Sequence, residues 1–331
     1  MTRPVSSITR KMLRYRRFTS NRSRILFSGL VAFVALSAAG GATALVSHGA
    51  RSTVNARPVI QLGPTHFGDI AVDRAGKVFV ADSAQDRVEV GTPVARGWSW
   101  SALPGTDGLR PRSIAVVGGN VWISGARGVY RMKLRANHVS MIVRTDEARD
   151  ISVDTGGGLF FATRTEVDYR DTEGSTSKVA GGGRVPVSEE KKGQVVSTWI
   201  LEPEAIEASV DKSFYLIDAG NVDHIVHGRA YMLHPQLRFA NGAAIGSSAD
   251  GKTYAVGDGE VYEIRHAILR SIGREFERLP SSIASFANAN SIAVSVSGEY
   301  YISFSLDTVP GGGGLVELSP RLRVIRLMVV H

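Results

Sequence analysis

The chain has 331 residues, 43% of them hydrophobic and 21% charged, and no cysteine. That absence excludes disulfides, thiolate metal sites, a cysteine nucleophile and a lipidated cysteine anchor. The net charge of +8 is local: the first 24 residues carry eight of the 39 basic groups and no acid, leaving 31 basic against 31 acidic residues elsewhere.

Residues 1–24 therefore read as a basic, polar cytoplasmic tail. Ile25 to Val46 follow, 22 residues without a charge. A helix of that length spans about 33 Å, enough for a bilayer core. The sequence predicts a transmembrane signal-anchor helix over 25–46, with the N-terminus cytoplasmic and the rest of the chain outside. Ala42-Thr43-Ala44 also has the small-x-small form of a cleavage site, and cleavage after Ala44 would give a secreted protein. The basic tail directly abuts the apolar run, so positive-inside topology accounts for it and no nucleic-acid partner is implied. A polar linker covers 47–57, and 58–331 form the exported domain. Within it, Val59–Leu62 is a short strand candidate placed to pair with the last repeat and close a ring.

Asp69 to Ser83, DIAVDRAGKVFVADS, holds two short runs of alternating β-branched, aromatic and small residues around Gly76. Period-two alternation across a glycine turn predicts a hairpin. The unit recurs. Its first-strand isoleucine returns as Ile70, Ile114, Ile151, Ile206, Ile245 and Ile292, at gaps of 44, 37, 55, 39 and 47 residues. The mean, about 44, is the scale of a four-stranded propeller blade. An aromatic fills one second-strand slot every time: Phe79, Trp122, Phe160, Tyr215, Tyr254 and Tyr301. Aromatics make up only 8% of the chain, so six in one slot is a pattern and not chance.

The first repeat runs from about Thr65 to Arg110, with outer strands predicted over Arg87–Val90 and Trp98–Leu103. The second extends to about Arg149, the third to Pro203, the fourth to Asn241, the fifth to Ala289 and the sixth to the end. The third is the longest, and its polar stretch Arg164 to Gln194 predicts an excursion outside the sheets. In the fifth, Ile268, Leu269, Ile272, Phe276 and Leu279 fall at helical spacing and predict a short helix. Arg323–Val330 reads as a final strand. The fold class that follows is all-β, a six-bladed β-propeller behind one N-terminal transmembrane helix. A seventh blade is the alternative if the third repeat hides a divergent one.

The first unit, DIAVDRAGKVFVADSAQDRVEV over Asp69–Val90, resembles the NHL repeat of β-propellers in Ile70–Asp73, Gly76, Phe79–Ser83 and Arg87–Val88. The resemblance covers about 65–330 as architecture and only the first unit as sequence. It implies a propeller and no particular chemistry.

In a propeller the innermost strands line a central channel, and the loops entering them form one rim. The polar residues ahead of each first strand are His66, Asp69, Arg112, Arg149, Asp150, Glu204, Asn241, Asn288 and Asn290. They are the candidate ligand-binding ring. Asp69, Asp150, Glu204 and Asn290 carry the hard oxygens that Ca2+ or Mg2+ takes, as in sugar-lactonase-type propellers. No catalytic motif is present: there is no Gly-x-Ser-x-Gly elbow, and the glycine runs lack the lysine and helix of a phosphate loop. His224, His227 and His234 do not have the spacing of a helical zinc pair. Two function classes follow. One is an envelope sensor or scaffold that binds a protein, peptide or glycan at the rim. The other is a propeller hydrolase or lyase with a divalent metal at the channel mouth.

Overall fold

The computed structural model describes residues 43–44, 63–183, 185–186, 199–200, 203–209, 211–234, 239, 243–248, 251–257, 260–265, 268–273, 289–305 and 313–330. They form six antiparallel sheets, each a meander of four consecutive strands, with Thr43–Ala44 as a fifth strand on the last. Blade 1 comprises Ile70–Val72, Val78–Asp82, Arg87–Val94 and Gly97–Ala102, and blade 2 Ser113–Val117, Asn120–Gly125, Gly128–Lys133 and His138–Arg144. Blade 3 is Asp150–Val153, Leu159–Ala162, Glu166–Arg170 and Thr176–Gly181, and blade 4 Pro203–Ala208, Phe214–Asp218, Asn221–Val226 and Arg229–Met232. Blade 5 is Ala243–Ser247, Thr253–Gly257, Glu260–Arg265 and Ile268–Ser271, and blade 6 Ala289–Val294, Tyr300–Ser305, Gly313–Leu318 and Val324–Val330.

The two repeated slots are the two halves of one joint. In every blade the residue after the isoleucine pairs with the aromatic: Ala71 with Phe79, Ala115 with Trp122, Ser152 with Phe160, Glu207 with Tyr215, Gly246 with Tyr254, Ala293 with Tyr301. Consecutive strand residues point to opposite faces. So the isoleucine faces the preceding blade and the aromatic faces the following one. Six apolar clusters result, one per joint. Phe79 packs with Ile114, Trp122 with Ile151, Phe160 with Ile206, Tyr215 with Ile245, Tyr254 with Ile292, and Tyr301 with Ile70 around the ring. Burying one such side chain stabilises by about 1.5–3 kcal/mol, which explains why these slots recur while the rest of the repeat varies.

Four expectations are corrected. The polar stretch 164–194 is not an excursion throughout, because Glu166–Arg170 and Thr176–Gly181 are the outer strands of blade 3. An outermost strand faces solvent along most of its length, so it needs little apolar patterning; Thr176 to Lys178 are exposed. No seventh blade occurs among the described residues; Val185–Pro186 pairs only with Trp199–Ile200 in a two-stranded parallel ladder. Ile268–Ser271 is the outer strand of blade 5 and not the start of a helix; 276 and 279 lie outside the described residues. Thr43 and Ala44, read as part of the apolar membrane run, pair with Val330 and Val329 on the outer edge of blade 6. The rest of 25–46 and the strand candidate 59–62 lie outside the described residues. No described helix is long and apolar enough to cross a membrane.

Candidate functional site

An innermost strand has a free inner edge, and its backbone N–H groups need acceptors. Here the side chains of the preceding blade supply them. Asp69 of blade 1 accepts the N–H of Ile114 in blade 2 through Oδ2 at 2.7 Å. Asp150 of blade 3 accepts the N–H of Ile206 in blade 4 through Oδ2 at 2.6 Å. Ser113 Oγ takes the N–H of Ile151 at 3.2 Å, and Ser152 Oγ that of Ala208 at 2.9 Å. Ser291 of blade 6 donates to Asp69 Oδ1, which joins the last blade to the first. Glu207 continues the belt from blade 4 to blade 5 through Ser247, and also meets Ser152. Blades 5 and 6 need no side chain, because Gly246 lets the two inner backbones touch and Ser248 bridges Val294 directly.

This belt lines a central cavity of about 1220 Å3. His66, Asp69, Arg112, Arg149, Asp150, Glu204 and Asn290 all border it. Asn241 and Asn288 lie outside the described residues. The seven are not equivalent. Asp69 and Asp150 sit inside the channel and meet at one hydroxyl: Ser113 Oγ is 2.7 Å from Asp69 Oδ2 and 2.6 Å from Asp150 Oδ1. Asn290 donates through Nδ2 to the Phe67 carbonyl at 2.7 Å, tying blade 6 to the segment entering blade 1. Arg112 donates to the carbonyls of Asp146 and Ala148 at 2.9 and 3.3 Å and fixes the neighbouring loop. Glu204 Oε1 accepts the N–H of Gly220 at 3.1 Å. The Arg149 side chain is exposed and makes no hydrogen bond or ion pair among the described residues.

The channel acids are hard to ionise. Burial raises the Asp69 carboxyl, against the pull of the hydrogen bonds it accepts. Burial first, and then the charge of Asp69, push Asp150 up to about 7. Burial likewise pushes Glu207 up to about 8, with the charge of Asp150 adding to it. Each is partly open to the channel, so water there tempers these shifts.

The four residues read as hard ligands do not form a cation site as arranged. A carboxylate has about four lone-pair positions, and Asp69 uses its own on Ile70 N, Ser291, Ile114 N and Ser113. The Asn290 carbonyl oxygen accepts from Ser305 at 2.9 Å. Among the described residues no three acidic or imidazole groups close around one point. His224 stacks on Tyr215 with ring centroids 4.5 Å apart and meets Ser213 at 3.2 Å, a packing role.

Ser113, Glu207 and Ser291 are absent from the sequence-based ring. Their signal was present: each lies immediately before or after a repeat isoleucine, on the face opposite to it.

No family model matches the chain, and neither does any curated protein. Solved structures match in fold. A streptogramin B lyase superposes with a TM-score of 0.52 at 12% identity, over 80% of this chain and 83% of that one. A virginiamycin B lyase from Staphylococcus aureus gives 0.52 at 13%, over 80% and 86%. A gluconolactonase-like protein gives 0.51 at 11%, over 80% and 89%. At such identities the likeness carries the propeller fold alone.

Proposed function

We propose that this chain is an extracytoplasmic β-propeller, tethered to the cell membrane through the apolar run from Ile25 up to Ala42, that works by binding a protein, peptide or glycan at the rim carrying His66, Arg112, Arg149 and Glu204. The tether reading rests on the uncharged 22-residue run behind a basic tail and ahead of a neutral domain. The binding reading rests on how the polar groups are used. The channel acids are spent on joining blades, whereas the rim keeps an exposed guanidinium, at Arg149, that has no partner among the described residues. Arginine's planar fork suits carboxylates and hydroxyl-rich partners.

Photo-crosslinking in the native envelope tests this. A photoreactive residue at position 149 or 204 is expected to give discrete adducts, and one at exposed Arg96 on the outer edge of blade 1 is not. Equal labelling from all three positions would remove the rim as a binding face.

A second reading draws on Glu207. A channel-facing acid kept protonated near neutral pH is suited to general-acid chemistry, and the fold neighbours include lyases and a gluconolactonase-like protein. Opening of simple lactones that is lost in Glu207→Gln would move the protein to this class.

A further inference from the structure

We propose that blade 4 holds a divalent cation against Asp218 and Asp223, in the place that an arginine fills in blade 1. This site is separate from the channel and does not depend on the rim reading. The two blades can be aligned by their ladders. In blade 1, Val80 opposite Ile70 pairs with Glu89, and Asp82 pairs with Arg87. In blade 4, Leu216 opposite Ile206 pairs with Asp223, and Asp218 pairs with Asn221. Asp218 therefore corresponds to Asp82, Asp223 to Glu89, and Asn221 to Arg87. Both acids are kept, and the positive charge between them is replaced by an amide.

The consequence differs between the blades. Glu89 is buried but paired, with Arg87 Nε 2.7 Å from Oε1. Asp82 is buried and accepts the N–H groups of Thr65, Ala84 and Gln85 at 2.6, 3.1 and 3.0 Å. Asp223 is fully buried, and neither of its carboxylate oxygens has a hydrogen-bond partner. A buried, unpartnered carboxylate is among the more costly arrangements in a protein interior. Protonation lessens the cost by removing the charge. Burial and the charge of Asp218 hold the Asp223 carboxyl at about 7, and no basic side chain among the described residues pulls it down.

Positions 218, 221 and 223 lie on one face of adjoining strands. Residues 218 and 223 are diagonal neighbours across the ladder, a spacing that long side chains and ions bridge. Two carboxylates and an amide oxygen are hard donors, and two negative charges are balanced by one divalent ion. Ca2+ and Mg2+ fit this chemistry.

The test is thermal unfolding of the chelator-treated full-length protein, titrated with Ca2+ and then Mg2+. A ligand of the native state raises its stability by mass action. One ion is expected to raise the melting temperature saturably in wild type and in the channel variant Asp150→Asn. The rise should vanish in Asp223→Asn. In Asn221→Arg, which restores the blade 1 arrangement, the melting temperature should be high and independent of the ion. No rise in wild type with either ion, or a rise that survives Asp223→Asn, overturns the site. If Asp223→Asn does not fold, Asn221→Arg decides alone: loss of the response supports the site, and its retention rejects it.

Discussion

A serine hydroxyl has one proton to give, and Ser113 Oγ lies within 2.7 Å of two carboxylate oxygens. One contact uses the serine proton. The other must use a proton on a carboxyl group. Asp69 accepts four hydrogen bonds and is the better anion, so Asp150 carries the proton and donates it to Ser113, which donates to Asp69. This agrees with the upward displacement of Asp150 to about 7. An acid whose folded-state pKa is raised contributes stability that is complete below its unfolded value, near 4, and is lost as pH rises through the folded value. Thermal stability is therefore expected to fall between about pH 4 and pH 8. One unit of displacement corresponds to about 1.4 kcal/mol; with screening by channel water, a loss of about 2 kcal/mol is expected for Asp150. Asp150→Asn should flatten that slope, because an amide does not titrate over this range. Melting curves across the range check it, and a wild-type profile rising over the same interval would contradict the shared proton. Of this cluster the sequence revealed Asp69 and Asp150 and suggested metal ligation. Which lone pairs they spend on the next blade depends on a neighbour more than forty residues away in the chain, and a one-dimensional pattern does not contain that.

At the scale of the strand, the isoleucine and aromatic slots were legible because every blade must fill the same gap with apolar bulk. The outer strands of blades 3 and 5 were not, since a strand with solvent along most of its length has no reason to alternate. Gly246 shows another limit. Read in sequence it is one more small residue in an innermost strand. In the fold a Cβ there would lie 2.0 Å from the Ile292 carbonyl oxygen of blade 6. The glycine is what allows two inner strands to meet backbone to backbone where Ala244 offers no polar belt residue. Gly246→Ala must push the two strands apart, and overpacking of this kind costs about 1–3 kcal/mol. The expected result is a lower denaturant midpoint with an unchanged slope. Gly76→Ala has open space but a φ of 77°; its smaller loss would separate backbone strain from the collision at Gly246.

Across the whole molecule, one joint differs from the other five. Each blade is four consecutive strands, so blades 1 and 6 are each complete from their own segment and share no ladder. The chain connects every other pair of neighbours. Among the described residues the last and the first meet through packing and side-chain hydrogen bonds, and Thr43–Ala44, ahead of blade 1 in the chain, pair with the outer strand of blade 6. Phe67, Ile70, Trp98, Tyr301 and Met328 form the apolar part. Asn290 to the Phe67 carbonyl, Ser303 to the Gly68 carbonyl at 2.6 Å, Ser291 to Asp69 and Arg326 to the Val94 carbonyl at 3.4 Å form the polar part. A ring held in this way should open first where no short connection limits the separation of the edges, since local openings follow the least-constrained contacts. Hydrogen exchange is then expected to be faster for Ile70–Val72 and Ser291–Val294 than for Asp150–Val153 and Pro203–Ala208, although all four are inner strands. Combining Asn290→Ala with Ser291→Ala removes the links through these two side chains and should widen the difference, at about 1 kcal/mol for each lost hydrogen bond, while leaving the blade 3–4 joint unchanged. Uniform acceleration in all six blades would mean instead that the propeller opens only as a single cooperative unit, with its closing joint as firm as the rest.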